Sequence, residues 1–181
     1  MTPRARLRMV LVYAGYTLGL ALLQVTWPDT LAPGGVRPDL ALVVTAFAGY
    51  FYGETDGAAI GLLSGFMLDM QSGRILGLGM FLMVFAGLLP ALLFRHMYQR
   101  PAWLAFTAVS ASAVFFHAGT VLLSWGFPTL PDLGRNLYEI RPLILERILP
   151  AILTDAVISI PLAFLFRYAG PYRIKTKEVS A

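Results

Sequence analysis

From Met9 to Phe166 the sequence is a succession of apolar runs, cut only by short polar or turn-rich breaks. A helix rises 1.5 Å per residue, so a run of about 20 residues crosses a hydrocarbon core of about 30 Å. Runs of this kind leave no extramembrane region large enough to house an active site. The composition agrees: 57% of residues are hydrophobic and 13% charged, with a mean hydropathy of +0.69. A soluble domain carries roughly 25% charged residues. The expectation is a single all-α integral membrane domain over residues 1–181. There are no cysteines, which excludes disulfides and thiolate metal sites. The net charge of +4 does not point to nucleic acid. Most basic residues flank apolar runs, where topology and lipid headgroups account for them.

Six helices are predicted, near 8–27, 39–52, 57–70, 75–94, 102–125 and 142–166. Arg4, Arg6 and Arg8 precede the first run, which is long for a signal peptide and has no small-x-small cleavage site before Trp27-Pro28. It reads as a retained span with its basic end in the cytoplasm. Pro38 suits the first position of the second helix and Asp39 its positive end. Gly53-Glu54-Thr55-Asp56 breaks that run, and Thr55 or Asp56 suits the cap of the third helix. The second and third helices are short. They form either two crossings or a re-entrant hairpin; two crossings keep Glu54 and Asp56 out of mid-bilayer. Residues 131–141 read as a surface segment, and Pro150 and Pro161 as kinks in the last span. Nine of the fourteen basic residues then fall on the side of the two termini, which places both in the cytoplasm.

Gly49, Gly53, Gly57, Gly61 and Gly65 recur every fourth residue. Asp69, Gly73 and Gly77 continue the phase. A four-residue step keeps roughly one helix face. Each interior Gly costs a helix about 0.5–1 kcal/mol against Ala, yet in a bilayer small residues let another backbone approach closely. The strip Gly57, Gly61, Gly65 therefore reads as a docking face for another helix, of this chain or of a partner. Asp69 at its end is expected to face protein, with Arg74 and Arg147 as candidate ion-pair partners by depth.

Asp155 lies mid-way along the last span, with Ser159 one turn on and Arg147 two turns back. It reads as a structural carboxylate, bonded to a hydroxyl or to a carbonyl freed by a proline. The rival is a proton step in a transporter. His117 reads as an interhelical donor, and Glu146-Arg147 as an interfacial pair. There is no His-x-x-x-His pair, Gly-x-Ser-x-Gly elbow or Gly-Lys-Ser/Thr loop, so neither enzyme, metal nor cofactor is expected.

Pro38-Asp39, the spaced Gly57, Gly61 and Gly65, then Leu68-Asp69-Met70-Gln71-Ser72-Gly73 and Leu76-Gly77-Leu78, resemble the rod shape-determining MreD family of bacteria. The likeness is best over residues 36–95. It implies a six-helix fold similar to the substrate-binding subunits of energy-coupling-factor transporters. It also implies a scaffold role in cell-wall elongation at the inner membrane. The partner implied is the single-span MreC, within a wider set of MreB, RodA and a penicillin-binding transpeptidase, with a homodimer formed through the complex. An interface or structural role is carried onto Gly57, Gly61, Gly65, Asp69, Gly73 and Gly77. The alternatives are a small-molecule carrier with a pocket near Trp125 and Tyr138, and a proton-coupled transporter resting on Asp155.

Overall fold

The computed structural model describes residues 15, 19, 22–24, 26, 28, 36–72, 76–97, 102–126, 142 and 144–169. Positions 15, 19 and 22–24 are helical; the rest of the predicted first span, the surface segment 131–141, Gly73, Arg74 and Tyr138 lie outside the described residues. Five further helices follow: α1 (Leu40–Phe47), α2 (Glu54–Ser72), α3 (Leu78–Leu93), α4 (Ala105–Gly126) and α5 (Leu149–Ala169). No strand occurs among the described residues. Two helical stretches, Ala105–Leu123 and Ile144–Phe166, are long and apolar enough to cross a membrane; Leu40–Tyr52 and Leu78–Leu93 are apolar but shorter.

The central element is α1. Seven of its eight residues are buried, and the burial continues through Ala48, Gly49 and Tyr50. A helix apolar all round has to be wrapped on every side. Leu40, Val43, Val44 and Phe47 pack with Ile60 of α2, Ala105, Ala108 and Val109 of α4, and Ala163 and Phe166 of α5. Leu42, on another side of α1, joins Leu82, Met83 and Ala86 of α3 and Ala113 and Phe116 of α4. The far end is closed by aromatic edges: Tyr50 meets Phe51 and Phe94, and Phe47 meets Phe166. The Tyr52 hydroxyl donates to the Phe166 carbonyl at 3.1 Å, tying this end to α5.

Three boundaries differ from the sequence reading, each for a local reason. Asp39, with φ −90° and ψ 86°, is the cap of α1 rather than its first residue, so Pro38 stands outside the helix. The third predicted helix starts at Glu54, not Gly57, because Gly53 reverses the chain at φ +108° and its carbonyl already accepts from Gly57 N–H at 3.0 Å. Glu54 and Asp56 then lie in the first turn of α2, where the helix dipole favours acids. The fourth predicted helix starts only at Leu78, after Gly77 in the left-handed region.

One proline acts here through the carbonyl it releases. Pro90 lies inside α3 and cannot bond the Ala86 carbonyl one turn back. That carbonyl accepts the buried Ser112 hydroxyl of α4 at 2.8 Å instead. A helix defect thus becomes an interhelical hydrogen bond. Before Pro150 the chain widens into a π-helical turn, Ile144–Ile148, and the Thr154 hydroxyl donates to the carbonyls of Pro150 and Ala151.

The glycine strip is covered by this chain's own helix. α2 and α3 form an antiparallel hairpin with backbone against backbone. A Cβ at Gly57 would collide with Gly87, one at Gly61 with Met83, and one at Gly65 with Gly79 and Met80. Gly49 packs on Gly87 as well, and Gly87 in turn on Gly57 and Thr45. Of the two occupants the sequence left open, the structure shows the intrachain one. Gly61→Leu is expected to cost at least about 3 kcal/mol, above the usual overpacking range, because the obstacle is backbone. Leu62→Ala next to it, on an exposed side chain, should be close to neutral. Thermal melts of both variants in detergent check this; equal melts would contradict the seam.

Candidate functional site

Three polar features lie within this apolar frame. The first closes the glycine seam. Asp69 continues the phase of Gly57, Gly61 and Gly65 and is 2% exposed. Its carboxylate accepts from the N–H groups of Gly77 at 2.8 Å, Gly79 at 2.8 Å and Met80 at 3.2 Å. These are donors at the start of α3, which no residue of that helix can satisfy. A carboxylate there meets both the free N–H groups and the positive end of the dipole. Gly77, at φ +108°, turns the chain so that its N–H and those of the next turn converge on one side chain. Gly79 leaves room, since a Cβ there would strike the Asp69 carboxyl. This explains the Asp69–Gly77–Gly79 spacing. Asp69 thus meets a set of backbone donors, which the sequence reading missed; Arg74, one of its two expected ion-pair partners, lies outside the described residues. The signal was present in the spacing of an acid eight and ten residues before a helix-starting glycine pair.

The second feature joins α5 to α1. Asp155 is fully buried, and its Oδ1 accepts from the backbone N–H of Asp39 at 2.7 Å. The Asp39 carboxylate in turn caps α1 through the Leu42 N–H at 3.1 Å. One acid therefore holds the cap, and the other acid is the cap. The predicted structural role fits, but not the predicted partner. Ser159 donates to the Ala156 carbonyl at 2.6 Å rather than to Asp155, and no hydrogen bond joins Asp155 to His117. Asp155 Oδ2 is buried with no protein partner among the described residues. Asp39 and Asp155 are 116 positions apart, and no local pattern could have paired them.

The third feature is an open hollow of about 520 Å³, with apolar walls that carry several polar side chains, on the same side of the bundle as Asp39. Gln24, Arg37, Asp39, His117, Thr120 and Arg147 line it. It brings together His117 and Arg147, which the sequence treated separately, and adds Arg37 and Gln24, which it did not single out. His117 Nε2 is buried there with no hydrogen-bond partner among the described residues. Arg147 is exposed, and no ion pair joins it to Glu146. The carrier pocket expected near Trp125 and Tyr138 falls on side chains outside the described residues.

No group of three or more metal-ligating side chains occurs among the described residues. Asp69 and Asp155 both accept from backbone N–H groups of another segment. Asp155→Ala should cost about 1–3 kcal/mol by leaving a buried N–H without an acceptor. Asp155→Asn keeps an acceptor oxygen and should retain most of that stability. Melting curves in detergent give the comparison, and equal loss in both variants would contradict the hydrogen bond to Asp39.

Comparison with known proteins adds one match. The family model of the rod shape-determining protein MreD covers residues 4–168, nearly the whole chain. No curated protein and no solved structure matches. The likeness to substrate-binding subunits of energy-coupling-factor transporters therefore finds no support there.

Proposed function

The chain belongs to the MreD family of rod shape-determining proteins, and from that premise we propose that it is a non-enzymatic scaffold of the cell-wall elongation machinery. Rod shape determination is the role of the family. The finer reading is that this protein sits in the cytoplasmic membrane as a multi-pass bundle with both termini inside. There it holds the single-span MreC, and through it MreB, RodA and a penicillin-binding transpeptidase.

The observation that carries this reading is how the buried acids are used. Asp69 and Asp155 each bind backbone N–H groups of another segment. They tie helices together, as a rigid platform requires. A scaffold also needs outward faces for its partners. The glycine strip is not one of them, since α3 already covers it. MreC must therefore meet an outer face of the bundle.

The test is purification of the tagged native protein in mild detergent from cells that also make MreC. Stoichiometric co-purification of MreC, with rounding of cells on depletion, is the expected result. Recovery of folded protein without MreC would overturn the reading. The transporter alternative separates cleanly: under the scaffold reading Asp155→Asn cells keep their shape and growth. Loss of both with an unchanged melting temperature would favour transport instead.

A further inference from the structure

The two acids buried in the helix interior are furnished very differently. Asp69 accepts from three backbone N–H groups, and both of its oxygens take part. That suits a carboxylate, whose charge needs several donors where water is excluded. Asp155 is just as deeply buried, yet it accepts from one N–H only, that of Asp39, on Oδ1. Its Oδ2 is buried with no donor among the described residues. We propose that Asp155 Oδ2 carries a proton in the folded protein, so that α5 meets the start of α1 as a neutral carboxylic acid. One proton is then a built-in part of the α1–α5 junction.

The donors that an ionised Asp155 would need are committed elsewhere. On its own helix, Thr154 donates to the carbonyls of Pro150 and Ala151, and Ser159 to that of Ala156. On α1 and α4, the buried hydroxyls of Thr45 and Ser112 donate to the carbonyls of Ala41 and Ala86. The buried Nε2 of His117 on α4 makes no hydrogen bond. Asp155 also lies well past the first turn of α5, beyond the reach of that helix's positive end. A buried charge without donors costs far more than a neutral carboxyl group.

The surroundings also decide which acid of the pair holds the proton. Asp39 is only half-buried. Its carboxylate accepts from the Leu42 N–H at the start of α1, where the dipole favours negative charge. It also lines the open hollow that Arg37, His117 and Arg147 line. Asp155 has none of these. A proton on Oδ2 leaves Oδ1 free to accept from Asp39, so the bond between the helices is kept. It also keeps a second negative charge away from Asp39 at the point where α1 is anchored.

Infrared spectroscopy of the full-length protein in mild detergent at neutral pH tests this, with aspartate carrying carbon-13 at the side-chain carboxyl. The labelled-minus-unlabelled spectrum should contain the C=O stretch of a protonated carboxyl group. Asp155→Asn should abolish that band, and Asp39→Asn should retain it. A native spectrum with carboxylate bands alone would overturn the proposal and leave Asp155 ionised, with water as the missing donor. A band that survives Asp155→Asn would overturn it too. Should Asp155→Asn fail to fold, Asp39→Asn decides: a band lost there puts the proton on Asp39 and rejects the assignment, and a band retained upholds it.

Discussion

The arrangement depends on the contact of two backbones along the α2–α3 hairpin. Gly57, Gly61 and Gly65 bring α2 so close to α3 that no side chain intervenes. Dispersion and packing act at the shortest range there, which is how helices associate where water supplies no hydrophobic force. Asp69 then fixes the sliding register of that seam. Its carboxylate reaches three N–H groups at the start of α3, and a shift of one turn would strand them. Packing supplies the attraction and the acid supplies the alignment.

The same economy recurs elsewhere in the bundle. A polar backbone group in an apolar interior needs a partner, and here the partners come from neighbouring helices. Asp155 of α5 takes the N–H of Asp39 at the start of α1. Ser112 of α4 takes the carbonyl that Pro90 releases in α3. Tyr52 takes the Phe166 carbonyl at the other end of α5. Each bond satisfies an orphan created by a helix end or a proline, and each links two helices. α1, buried along almost its whole length, is held at both ends by bonds of this kind. Bonds of this kind tie the described helices to one another, which suits a family whose role is the shape of the cell.

Much of this was legible in the sequence, and the reasons for the rest are physical. Hydropathy gave the all-α class, because runs near the bilayer thickness leave few other solutions. The four-residue glycine phase, with Asp69 on it, marked the seam and the inward direction of the acid. The occupant of the seam was open, because a small-residue strip has the same chemistry whether its neighbour is the next helix or another protein. Helix starts shifted by a few residues where glycines at positive φ replaced the expected caps. Long-range pairs such as Asp39 with Asp155, and Ser112 with the Ala86 carbonyl, depend on how helices pack and leave no trace in local periodicity. The cavity was hidden for the same reason: Arg37, His117 and Arg147 sit in three separate segments and meet only in the fold.

The most direct measurement is amide hydrogen exchange at Gly77, Gly79 and Met80, in the native protein and in Asp69→Ala. These three N–H groups should be strongly protected in the native protein, although they begin a helix and have no partner within it. In Asp69→Ala their exchange should rise by two orders of magnitude or more, as expected when about 3 kcal/mol of local protection is lost. Residues deeper in α3 should change far less. Rapid exchange of all three in the native protein, or protection that persists without the carboxylate, would contradict the account.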